Sequence, residues 1–142
     1  MKQMIFMVLG AVVLTGCVDR DDRSPVAAQS HPAQQTAVRT VSVAQFAAAL
    51  RNTDAVVLDV RTPQEFATGR LRADARNINF YDADFRAQLA QLDKTKTYLI
   101  YCRSGNRSGK ARAMMRAMGF RDVVELDGGV NAWLRSGKEL VK

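Results

Sequence analysis

Between the apolar run Tyr98–Tyr101 and a helical pattern over residues 108–118, the chain reads Cys102-Arg103-Ser104-Gly105-Asn106-Arg107-Ser108. These residue types, in this order, are suited to thiolate chemistry. A short loop entering a helix can turn successive backbone N–H groups toward one point, at the positive end of the helix dipole. Gly105 permits the backbone conformations that so tight a cradle requires. Amides, dipole and guanidinium groups together favour thiolate over thiol, and the thiolate is the nucleophile. Residues 102–121 hold Arg103, Arg107, Lys110, Arg112, Arg116 and Arg121 with no acidic residue, a local field that suits an anionic substrate. A cysteine that only packs at a strand end has no use for the Gly, Asn and Arg residues that follow this one. Cys102 is therefore the candidate catalytic residue, while Arg112 and Arg116 read as a solvated helix face.

The elements that must position this loop alternate strand and helix. Thr40-Val41 is a short apolar start, and Ser42-Val43-Ala44-Gln45 has the form of a capping box. Its helix runs through Phe46 and Leu50 to near Asn52. Val56-Val57-Leu58 is a continuous apolar run, as in a strand buried on both faces. Thr62-Pro63-Gln64-Glu65 is a second capping box with proline at the first helical position, and Gly69 suits the residue just past that helix. Asn77-Ile78 reads as a short strand, and Asp82 as the cap of a helix burying Phe85, Leu89 and Leu92. Ala111, Met114, Met115 and Met118 form the core side of the next helix. Val123–Leu126 is the last strand, and a helix around Trp133 follows it. Strands separated by helices predict βα units and a parallel sheet covered on both faces.

Upstream lies a different kind of sequence. Lys2 precedes the apolar run Met4–Leu14, about half the length a spanning helix needs, so residues 1–16 read as a secretory signal peptide. Residues 17–36 form a polar tether with two prolines, and His31 is a solvated linker residue within it. The folded domain is expected over 37–142. The 142 residues carry a net charge of +7, with 47% hydrophobic and 25% charged residues, a composition that excludes wholesale disorder. Two cysteines and one histidine cannot build a zinc site of the usual Cys/His kind or a disulfide-dense scaffold. Export and the few aromatics, which do not interleave with the basic residues, argue against nucleic-acid binding.

Two resemblances complete the reading. Leu14-Thr15-Gly16-Cys17 resembles the bacterial lipobox, which implies that Cys17 is lipidated and becomes the first residue of an envelope protein anchored facing the periplasm. Val18, rather than an acid, after the cysteine implies the outer membrane. From about Thr40 to Leu140 the chain resembles a single rhodanese (sulfurtransferase) domain. The matching pieces are Asp59-Val60-Arg61-Thr62-Pro63-Gln64-Glu65-Phe66, the Cys102–Ser108 loop and Leu126-Asp127-Gly128-Gly129-Val130-x-x-Trp133. The resemblance implies a three-layer α/β/α sandwich with a five-stranded parallel sheet. It implies that Cys102 accepts a sulfur atom as a persulfide and that the backbone of Arg103, Ser104, Gly105, Asn106 and Arg107 holds it. Arg103 falls at a substrate-anion position; Arg107 closes the loop, on substrate or on Asp59 or Glu65. Asp59, Arg61 and Glu65 are structural support, and Gly128-Gly129 lets the last helix approach the sheet end.

The implied partners are a small anionic sulfur donor such as thiosulfate, a thiol or cyanide acceptor, and the membrane through the lipid. No metal or organic cofactor is called for, and the protein is expected to be a monomer. Two departures stand out: Gly69-Arg70-Leu71 replaces the family's usual Gly-His-Ile, and Ser104 stands where some thiosulfate-preferring members have a second basic residue. A phosphatase or arsenate reductase of the same fold is the enzymatic alternative, but those place Arg one position later, as Cys-x5-Arg. A non-catalytic sulfur- or thiol-binding envelope sensor is the other.

Overall fold

The computed structural model describes residues 37–142; the expected signal peptide over 1–16 and tether over 17–36, with Cys17 and His31, lie outside the described residues. The strands are β1 (Ala37–Val41), β2 (Val56–Asp59), β3 (Arg76–Asn77), β4 (Thr97–Tyr101) and β5 (Asp122–Leu126). They alternate with α1 (Val43–Ala49), α2 (Pro63–Ala67), α3 (Phe85–Ala90), α4 (Asn106–Ala117) and α5 (Gly129–Arg135). The strands form one parallel sheet in the order β1-β5-β4-β2-β3, which places β4 in the middle.

Period-2 alternation along the strands divides the apolar side chains between two layers. Leu58, Ile100 and Val123 face α3 and α4, where they pack with Phe85, Leu89, Ala111 and Met115. Val57, Leu99 and Val124 face the other way, onto Phe46, Val130 and Trp133, with Phe66 of α2 at the edge. Both faces are covered, so the architecture is the expected three-layer α/β/α sandwich. Burial of each of these large side chains contributes about 1.5–3 kcal/mol before the entropy of ordering is subtracted.

The two capping boxes form as read. Ser42 accepts from the Gln45 N–H while the Gln45 side chain accepts from the Ser42 N–H, and Thr62 and Glu65 do the same at α2. Three local readings need correction. The Asp82 carboxylate accepts from Asn79 Nδ2, so α3 starts later, with Asp84 at its cap and no side-chain cap bond. β1 begins at Ala37 because it is an edge strand held by pairing with β5, which the polar Arg39 and Thr40 do not advertise. α4 begins at Asn106, two residues before the expected start, so Asn106 and Arg107 belong to its first turn.

Candidate active site

β4 ends at Tyr101, and four residues carry the chain from there into α4. Cys102 is fully buried at the end of the central strand. Gly105, at φ +92°, makes the left-handed turn that starts α4 and aims its own N–H at Cys102 Sγ, 3.1 Å away. A residue with a Cβ would be strained in that conformation. Ser104, exposed, and Ser108, buried in the first turn of α4, add their backbone N–H groups, and Ser108 Oγ lies 3.4 Å from the sulfur. Burial opposes ionisation of the Cys102 thiol, but these amides, joined by the Ser108 hydroxyl when its proton points to the sulfur, outweigh it and hold the thiol below its ordinary pKa.

The amides can face inward because the loop carbonyls are held outward. The Val130 N–H donates to Cys102 O and the Asn131 N–H to Arg103 O, each at 2.9 Å, from the start of α5. That approach depends on Gly129, at φ +56°: a Cβ there would lie 2.3 Å from Cys102 O and 2.8 Å from Arg103 C. The expected role of the Gly128-Gly129 pair is thus located mainly at Gly129.

Arg107 is fastened from the opposite side. Its Nη1 and Nη2 donate to the two Glu65 oxygens at 2.7 and 2.8 Å, and its guanidinium lies over the Tyr81 ring, 5.5 Å from the centroid. Of the two acids offered by the sequence, Glu65 is the partner. The Arg107 guanidinium, against the opposition of burial and with help from Thr62, pulls the Glu65 carboxyl down to about 2. Asp59 is engaged elsewhere. It accepts from Arg61 Nε at 2.9 and 2.8 Å, and Arg61 Nη2 also donates to Gly69 O at 2.7 Å. Both side chains are buried and engaged with each other, next to the site.

Arg103, Ser104 and Asn106 are exposed on the outer side of the loop, and Arg103 makes no ion pair with the described residues. No group of three His, Cys, Asp or Glu side chains among the described residues is placed to hold a metal ion. Arg112 departs from the solvated role expected of it: its Nε donates to Glu125 Oε2 at 3.1 Å. Glu125 and Ser108 are the polar residues nearest this chemistry that the sequence reading did not single out. Their signal was a lone acid within the apolar run Val123–Leu126 and a serine directly after Arg107.

A buried cysteine facing backbone amides, at the carboxyl end of the central strand of a parallel α/β sheet, is an arrangement that can hold a thiolate beside a small anion or a terminal sulfur. Residues 42–136 match the Rhodanese-like domain, and the chain belongs to that family. It is 36% identical over 88 residues to a sulfurtransferase of Allochromatium vinosum, covering 62% of this chain and 79% of that one. It is 38% identical over 84 residues to the thiosulfate sulfurtransferase GlpE of Pseudomonas aeruginosa, covering 59% and 74%. An uncharacterized protein of Synechocystis sp. is 40% identical over 94 residues, 66% of this chain, but the match spans only about half (51%) of that relative. Among solved structures, a rhodanese-related protein from Thermoplasma volcanium superposes with a TM-score of 0.63 at 29% identity, over 72% of this chain and 97% of its own. The polysulfide-sulfur transferase homodimer of Wolinella succinogenes shares the fold, with a TM-score of 0.61 at 24% identity, over 77% and 82%.

Proposed function

We propose that this protein is a sulfurtransferase that moves sulfane sulfur from thiosulfate, or a related small anionic donor, to a thiol acceptor through a persulfide on Cys102. One observation carries the reading: the Cys102 sulfur faces the backbone amides of its own loop, with the Gly105 N–H at 3.1 Å. In the first half-reaction the Cys102 thiolate attacks the outer sulfur of thiosulfate. The donor's S–S bond breaks, and sulfite leaves with its electron pair. The acceptor thiolate, or cyanide in an assay, then attacks the outer persulfide sulfur, and Cys102 leaves as the thiolate stabilised by the same amides. The two steps balance without an external oxidant, metal or organic cofactor.

The spacing of Cys102 and Arg107, Cys-x4-Arg rather than the Cys-x5-Arg of phosphatases, supports sulfur over phosphate as the transferred group. One N–H from each terminal nitrogen of Arg107 goes to Glu65 and braces this shorter loop. Residues 17–36 are proposed to tether the domain, as a monomer, to a lipid on Cys17 at the periplasmic face of the envelope, with the outer membrane as its site. The test of the activity is thiocyanate formation from thiosulfate and cyanide. Cys102→Ser abolishes it if the reading is right. Mass spectrometry of protein purified without reductant then finds one additional sulfur on Cys102.

A further inference from the structure

Glu125 is a buried acid on the α4 face of β5, in line with the apolar Val123. A carboxylate in that position is costly unless donors meet it. Three do: Thr40 Oγ1 from β1 at 2.7 Å, Ser108 Oγ from α4 at 2.8 Å and Arg112 Nε, also from α4, at 3.1 Å. The charged and titratable groups facing it are Arg112 and, beyond Ser108, the Cys102 thiol; Arg39 on β1 is engaged with Asp122. Ser108 is itself fully buried, and its one hydroxyl proton has three claimants. Cys102 Sγ is at 3.4 Å and Gly105 O at 3.3 Å, while Glu125 Oε1 is at 2.8 Å. A hydroxyl donates one hydrogen bond, and the short, charge-assisted one prevails.

We propose that Glu125 is a positioning residue for Cys102. It holds the Ser108 proton, so Ser108 turns an oxygen lone pair toward the sulfur and the thiolate is left to the backbone amides. The Ser108 hydroxyl can assist the thiolate only when Glu125 releases that proton. Withholding it keeps the sulfur less acidic than the loop would otherwise make it. A thiolate gains intrinsic nucleophilicity as its pKa rises, so the arrangement trades thiolate population for reactivity per thiolate. This use of the thiolate rests on the sulfurtransferase reading; the proton placement does not.

The variant Glu125→Gln separates the possibilities. Arg112 and Thr40 aim their donors at Oε2, so the glutamine carbonyl takes that side and its Nε2 faces Ser108. Ser108 then accepts from the amide and turns its proton to the sulfur. The experiment is a titration of thiolate absorbance near 240 nm in the reduced full-length chain carrying Cys17→Ser, so that only Cys102 reports. It needs no substrate, and its outcome is independent of whether the protein transfers sulfur. In Glu125→Gln the midpoint falls by at least about half a pH unit. At pH above both midpoints, alkylation by iodoacetamide slows by about twofold. In a Ser108→Ala background the glutamine lowers the midpoint by less than half as much. An unchanged or raised midpoint overturns the proposal, and so does a fall that persists in full without Ser108, which is a direct charge effect. Ser108→Ala alone tests the same point should the glutamine variant fail to fold. Its midpoint stays or falls if the hydroxyl is an acceptor toward sulfur, and a rise of more than about half a pH unit overturns the assignment.

Discussion

Arg107 and Glu65, 42 positions apart in the chain, meet in a two-armed ion pair that fastens the first turn of α4 to α2, with both contacts under 3 Å. Glu65 is simultaneously the N3 residue of the α2 capping box. One carboxylate therefore starts a helix and braces the cysteine loop.

This double duty predicts an acid-sensitive contribution to stability. Glu65 is held at about 2, below its ordinary value of 4.5, so its contribution is complete above pH 4.5 and is lost as the pH falls toward 2. Urea unfolding at neutral pH places Glu65→Gln about 1–2 kcal/mol below wild type, allowing for solvent screening. The gap closes as the pH is lowered through that window. A gap of constant size from pH 6 to about 2.5 would show that the carboxylate charge is not what stabilises the fold.

Gly129→Ala tests the outward anchoring of the loop. The added methyl meets Cys102 O at 2.3 Å, in a left-handed backbone that already disfavours alanine. α5 and the loop must separate, at a cost of at least about 2 kcal/mol. Thiosulfate:cyanide sulfurtransferase activity falls at least about tenfold in the protein that remains folded. Gly137→Ala is the control, since nothing lies within 4 Å of a Cβ there although its φ is also positive.

Arg103 predicts a separation of the two half-reactions. Its exposed guanidinium lies one residue from the nucleophile, where it can hold the donor dianion. Arg103→Ala raises the KM for thiosulfate by about three- to tenfold and changes the acceptor step less, and Ser104→Lys lowers that KM. Two-substrate steady-state kinetics read both effects. Added salt erodes the difference between wild type and Arg103→Ala.

The lipid anchor is tested in bacteria. Wild-type chain incorporates labelled palmitate and fractionates with the outer membrane. Cys17→Ser takes up no label, and its sulfurtransferase activity is retained. Absence of label from the wild type would dismiss the anchor without touching the active site.

The parts of the molecule visible in the sequence were those set by neighbouring residues. Thr62, Pro63 and Glu65 specify the start of α2 within four positions, and Ser42 with Gln45 specifies α1 in the same way. Cys102 and Gly105 announce the loop because strand end, candidate nucleophile and turn residue fall within the five positions Tyr101 to Gly105. What escaped depends on distant segments. Asp82 looked like a cap until Asn79 claimed its carboxylate, and β1 owes three of its residues to a neighbour 85 positions away in sequence. Arg112 has the spacing of a surface residue, and only the arrival of β5 under α4 gives it Glu125. Ser108 reads in the sequence as the end of the loop, and its contact with Glu125 comes from the same meeting of β5 and α4.

The ring around Cys102 is drawn from peptide groups, which every residue possesses, while Arg103, Ser104 and Asn106 present their side chains to the outside. In the proposed function, nucleophile and preference for a donor therefore lie on opposite sides of the same short stretch. Mutation can rewrite the outer side freely so long as Gly105 and Gly129 keep the peptides in place. The same property makes positions 103, 104 and 106 the natural sites for a combinatorial library, with the nucleophile left untouched.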